Sequence, residues 1–152
     1  MGITDRHKKP GGFKKLVHSL ETTAHDKRKK ILEAMRTEDP DFVLEVESCI
    51  FEFDEFLKID DAILAEVTAA LTEMRTLAFA LYNASEEITT KFKRCLKPAQ
   101  QYQLKEATEM LGSEKVVRAQ QISAQFKIIE KAREIEPARR FVLKKYSQSY
   151  RD

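Results

Sequence analysis

Three histidines (His7, His18 and His25), two cysteines (Cys49 and Cys95), the pair Asp60-Asp61 and the run Lys27-Arg-Lys-Lys30 are the residues of this 152-residue chain whose types could do chemistry. Structural zinc needs cysteine and histidine sets at short, regular spacing. The histidines fall near the N-terminus with no cysteine close by, so no metal and no cofactor are expected. Asp60-Asp61 could hold a cation as a carboxylate pair. It also stands directly before Ile63, Leu64, Val67 and Leu71, a helical stripe, where one aspartate caps the helix and the other complements its dipole. The cap is the simpler account. Lys27-Arg-Lys-Lys30 could meet phosphates, but apolar residues follow it in the same helical pattern and no aromatics interleave with it, so it reads as a solvated face. There is no Gly-rich phosphate loop, no nucleophile elbow and no His-Glu-x-x-His. The expectation is a protein that is not an enzyme and does not bind nucleic acid.

Charge is divided along the chain rather than in excess. Net charge is +2 overall, but residues 1–37 carry +6, residues 38–75 carry −10 and residues 76–152 carry +6. Such a division steers docking between proteins, or simply marks the solvated faces of helices. Both cysteines lie among apolar residues on expected helices, which predicts buried free thiols and a reducing compartment. No apolar run approaches the ~20 residues that span a bilayer, and no signal peptide opens the chain. Any membrane association would then come through partners.

The elements that must position these residues are helical throughout. Glycine is confined to positions 2, 11, 12 and 112, and proline to 10, 40, 98 and 137. No period-two alternation between them is long enough for a strand. Residues 1–12 read as a basic tail or linker, with Arg6, Lys8 and Lys9. Phe13, Leu16, Val17 and Leu20 form a first helical stripe, and a second helix is expected over 23–36 with Ile31, Leu32 and Met35 inward. Asp39 and Pro40 start a third, whose Phe42, Val43, Val46, Cys49 and Ile50 share one face. A Phe-rich hinge is expected over 51–59. Beyond it come a helix after Asp60-Asp61, a short one over 74–82, one capped by Ser85, and one opened by Pro98 and closed by Gly112. A long helix over 114–135 carries Ile122, Phe126 and Ile129, and Pro137 is expected to begin a last one through Phe141, Leu143 and Tyr146. Short helices joined by tight breaks predict an all-α, armadillo-like right-handed superhelical stack: one lobe over 13–50, a second over 60–152.

Several phrases in that order resemble the C-terminal portion of the flagellar motor switch family FliG, from Gly11 onward. Gly11-Gly12 resembles its Gly-Gly linker. Asp26-Lys-Arg-Lys-Lys-Ile-Leu-Glu-Ala-Met35 and Glu38-Asp-Pro40 resemble its Thr-Glu-Lys-x-Ile-Leu-Glu and Glu-Asp-Pro-Glu. Ile50-Phe-Glu-Phe53, followed by Leu57 and Asp60-Asp61, stands for Met-Phe-x-Phe and the Leu-Asp-Asp helix start. Leu77-Ala-Phe-Ala-Leu-Tyr-Asn-Ala-Ser-Glu-Glu87, then Lys91-Phe92, resembles Leu-Ala-x-Ala-Leu-Lys-Gly-Ala-Ser-Glu-Glu and Lys-Phe. Ala124-Gln-Phe-Lys-Ile-Ile-Glu-Lys-Ala-Arg133 resembles the last long helix.

The resemblance implies a protein-docking module of the bacterial motility and chemotaxis machinery, on the cytoplasmic side of the inner membrane in the rotor's C-ring. Its implied partners are a FliG-type neighbour subunit, FliM and the MotA stator loop, and its implied hinge residues are Ile50, Phe51 and Phe53. The implied charged, stator-facing helix carries Lys97, Lys105, Glu106 and Glu109, with Lys115 after it. Three departures stand against torque generation. Tyr82-Asn83 replaces Lys-Gly, Ala99 beside Pro98 replaces the helix's first arginine, and Ala107 replaces the second of two acids. A two-residue insertion after Gly112 leaves Lys115 or Arg118 for a further arginine. These departures favour a second reading, a stand-alone helical scaffold or regulator that no longer meets the stator. The chain lacks the family's N-terminal and middle portions, so an apolar end of Phe13, Leu16, Val17, Leu20, Ile31 and Leu32 is expected to be covered in trans, by a full-length FliG-type neighbour or by self-association; the alternative is that the first helix folds back and covers its own lobe.

Overall fold

The computed structural model describes residues 4–112, 115–139 and 141–144, and among these every regular element is a helix. The all-α expectation holds. The chain divides into two compact units, residues 1–51 with 144–152, and residues 52–143.

Unit 1 is a layer of three helices: α1 (Gly12–Glu21), α2 (His25–Arg36) and α3 (Pro40–Cys49). Gly11 caps α1 with φ +79°, a left-handed conformation that favours glycine. Asp39 starts α3 as expected: its carboxylate accepts the Phe42 N–H at 3.1 Å, and Pro40 fills the first turn, where no N–H is needed. Phe13, Leu16, Val17 and Leu20 of α1 meet Leu32 and Met35 of α2 and the apolar row of α3 in one core. The Phe13 and Phe42 rings pack edge to face at 5.7 Å.

Two expectations are corrected here. The N-terminal segment from Thr4 is not a loose tail: Thr4 is buried and its hydroxyl donates to Glu38, while Lys8 pairs with Asp39. A small polar residue held by Glu38 and a lysine held by Asp39 leave no hydrophobic signal in the sequence. Met1 to Ile3 lie outside the described residues. The apolar end expected to be covered in trans is instead covered within unit 1, where α1 packs on α2 and α3. Phe13, Leu16, Val17, Leu20 and Leu32 are all buried within unit 1, and Ile31 alone of the six is half-buried. The stripe on α1 is wide enough to close its own lobe.

Unit 2 opens with a 3-10 turn (Phe53–Lys58) and continues through α4 (Asp61–Ala69), α5 (Met74–Leu81), α6 (Glu86–Cys95), α7 (Pro98–Leu111) and α8 (Arg118–Arg139). Helix α5, small and apolar along Leu77, Ala78 and Ala80, lies at the centre against α7 and α8. Phe53, Phe56 and Phe92 form a ring cluster, with Phe53 stacked on Phe92 at 5.5 Å and Phe56 edge-on to both. Each such pair contributes about 0.5–1.5 kcal/mol beyond its area. Beside it the buried Lys91 ammonium donates to the carbonyls of Leu57 and Ile59, pinning the 3-10 turn to α6. Ser85 caps α6 by accepting the Ile88 N–H.

Helix α8 runs longer than expected. Pro137 begins no new helix but lies inside the last turn of α8. Arg133 and Glu136 pair there, both buried, and Glu136 also accepts the Leu143 N–H at 2.9 Å. That carboxylate holds the following segment against the helix, so Phe141 and Leu143 are buried without being helical. Ile122 and Phe126, expected inward, are half-buried; the buried row is Gln121, Ala124, Ile128, Ile129 and Ala132. Tyr146 lies outside the described residues.

Candidate docking site

The hinge residues sort themselves between the units. Ile50 and Phe51 are buried in unit 1, where the Phe51 N–H donates to the buried Glu21 carboxylate at 2.8 Å. Phe53, two residues on, is buried in the ring cluster of unit 2. Glu52, the first residue of unit 2, is in extended backbone, and its N–H donates to the Glu55 carboxylate at 2.7 Å. The segment 53–58 is therefore not free linker, because its aromatics are core residues of unit 2.

The aspartate pair resolves into two roles. Asp60 holds the N-cap position of α4 without a side-chain cap bond, and Asp61 takes a two-pronged contact from Arg94 at 2.8 and 3.0 Å. The hydrogen bond and charge of that guanidinium hold the Asp61 carboxyl below its usual range. Among the described residues no cluster of histidine, cysteine and acids could hold a metal ion. Cys49 is buried and Cys95 half-buried, and burial pushes the Cys95 thiol up.

The charged helix of the sequence reading is α7. Proline at its first position and a register that turns Leu104 and Leu111 into the core leave a long outer face. Lys105, Glu106 and Glu109 are all exposed on it. Lys97 is exposed at the N-cap and Lys115 beyond the far end, so a helix of roughly 20 Å separates them. Lys105 and Glu109 border an open groove of about 570 Å3 between α6 and α7, floored by Leu104 and edged by Lys93 and Arg94. Ala99 is exposed and Ala107 half-buried, so the family's second acid falls here on a position turned partly inward.

Sequence reasoning missed Tyr102 and Met110, which are 65% and 61% exposed. With Glu106 they form an i, i+4, i+8 stripe on the outer face of α7, and that spacing was the available signal. Tyr102 donates to Glu106, and this bond, with the carboxylate charge, pushes the phenol above its usual range. The Lys-Gly of the family turn is Tyr82-Asn83, yet the turn itself persists. Asn83 adopts φ +57°, the left-handed conformation a glycine would supply.

A family model described as the FliG C-terminal domain matches residues 33–143. The chain is 28% identical over 135 residues to the flagellar motor switch protein FliG of Thermotoga maritima, covering 89% of itself and 39% of that relative. Among solved structures it resembles a crystal structure of FliG (residues 86–343) from H. pylori, at 21% identity and a TM-score of 0.59 over 84% of this chain and 59% of that one. It also resembles full-length FliG from Aquifex aeolicus, at 25% identity and a TM-score of 0.53, over 83% of this chain and 38% of that one.

Proposed function

The chain belongs to the FliG C-terminal domain family, and from that premise we propose that it is a protein-docking module of the bacterial flagellar motor switch. It would act by contacts alone, in torque transmission or rotation switching, in the cytoplasm at the flagellar basal body and peripheral to the inner membrane. The observation that carries this reading is the outer face of α7. A helix fixed on the core by Leu104 and Leu111 presents two large apolar side chains, Tyr102 and Met110, among Glu106, Glu109 and Lys105. Apolar anchors inside a charged rim are what a protein partner recognises. The stator loop of MotA is the partner proposed for this face, and FliM and a FliG-type neighbour for the rest of the module, with Glu52 as the pivot between its two units.

A second reading, a helical scaffold or regulator that has left the stator, is favoured by Tyr82, Ala99 and Ala107, which put neutral side chains where the resembling family carries charge.

Co-purification from cells of the protein's own source separates them, with a Tyr102→Ser/Met110→Ser chain alongside. Both positions are exposed, so the double variant keeps its fold. Recovery of MotA, FliM or full-length FliG with the parent chain, and loss of MotA with the variant, is the expected result. Recovery of FliM or FliG without MotA supports the scaffold, and recovery of no flagellar protein overturns both motor assignments.

A further inference from the structure

We propose that Met110 is a modification site, at which hydrogen peroxide converts the thioether to a sulfoxide and so withdraws one of the two apolar anchors of the α7 face. Its role as a redox switch rests on the reading of that face as a docking surface.

The sulfur atoms of the chain differ in what can reach them. Among the described residues, methionine occurs at positions 35, 74 and 110 and cysteine at 49 and 95. Met35 and Met74 are 3% and 6% exposed, the first in the core of unit 1 and the second at the start of α5. Met110 is 61% exposed. Cys49 is buried. Cys95 is half-buried, and burial holds its thiol toward the protonated form, whereas the thiolate is the species that attacks an oxidant. A thioether has no proton to lose, so its reactivity follows access rather than ionisation. Access selects Met110.

The step balances without a cofactor. One peroxide oxygen adds to the thioether sulfur as the O–O bond breaks, and the other leaves as water. Sulfur gives up two electrons and the peroxide takes them. Methionine sulfoxide reductases reverse the change with two electrons from a dithiol.

Position makes the change consequential. Met110 is the penultimate residue of α7, one turn beyond Glu106 and two beyond Tyr102 on the same outer face. It and Tyr102 are the large exposed apolar side chains of that helix. A sulfoxide places a hydrogen-bond acceptor where a partner offers apolar surface, and an acceptor buried there without a donor weakens binding. The helix stays seated, because Leu104 and Leu111 hold it on the core. The damage is confined to the face.

Graded hydrogen peroxide treatment of the full chain, with peptide mapping by mass spectrometry, tests the site. Sulfoxide is expected at Met110 about tenfold faster than at Met35 or Met74, with unchanged circular dichroism. Co-purification with MotA then reads the switch, as the ratio of capture after oxidation to capture before. That ratio should fall about tenfold for the parent chain and recover when methionine sulfoxide reductases for both epimers are added. For Met110→Leu, oxidation should leave capture at its own starting level. Oxidation of Met35, Met74 or Cys95 ahead of Met110 overturns the proposal. So does a Met110→Leu chain that loses capture as the parent does. A parent chain that captures MotA equally well once Met110 is oxidised overturns it too, and leaves the docking reading intact. Capture of no flagellar protein by the unoxidised chain is a different failure, which removes the docking reading and the switch with it.

Discussion

Two side chains have their ionisation set by a partner on another turn or another helix. Glu106 raises the Tyr102 phenol, through the hydrogen bond first and its charge second. A raised acid contributes stability that is complete below its unfolded value and is lost as pH climbs through the higher folded one. Glu106→Gln should therefore lower the Tyr102 titration toward that of an ordinary tyrosine, followed by NMR of its ring carbons. An unchanged titration would mean that the bond does not form in solution. Asp61 has the opposite sign. Arg94 depresses it, so its contribution is complete above the ordinary aspartate value of 3.8 and fades as pH falls through the lower folded one. Asp61→Asn should reduce urea stability at pH 7 and leave a smaller loss between pH 5 and 2 than the parent shows. Identical acid limbs in the two proteins would dismiss the pairing. Neither relation was read from the sequence. Asp61 and Arg94 are 33 residues apart, and long-range pairs appear once the chain has folded.

Local signals were legible at the scale of the element wherever a cap or stripe did the work. Asp39-Pro40 and Ser85 begin their helices as read, and the α3 apolar row is the buried face. Signals failed where a distant partner decides. Pro137 looks like a helix start because proline suits the first turn, yet Glu136 ties Arg133 and Leu143 around it and the helix carries through. Likewise Thr4 looks like tail until Glu38 holds it. Asn83 shows how a replaced glycine can leave an element unchanged, since asparagine tolerates the left-handed region better than other side chains. Asn83→Gly should therefore change stability by less than about 1 kcal/mol, whereas Asn83→Val should cost about 1–2 kcal/mol, measured by urea unfolding. Equal stabilities for valine and asparagine would show that the turn is not left-handed.

For the whole molecule, the division of charge read along the sequence becomes a division between surfaces. Acids line the outside of α3 while lysines edge a groove between α1 and α2 of the same unit. The candidate site was legible in part: the sequence marked α7 and its exposed Lys105, Glu106 and Glu109, but not the Tyr102–Met110 stripe, since exposure is decided by which side of α7 Leu104 takes into the core. The anchors around Glu52 have a mechanical meaning. Phe51 is a core residue of one unit and Phe53 of the other, so on the proposed reading Glu52 is the pin of this crossing, and the chain crosses a second time between Leu143 and Lys144. On that reading a glycine inserted after Glu52, which also breaks the Glu52–Glu55 capping box, should lower thermal stability only slightly and yet abolish motility in cells that depend on this chain. Retained motility would mean that the pin transmits nothing. Slack, rather than unfolding, is the damage such a joint suffers, and a stability assay alone would miss it.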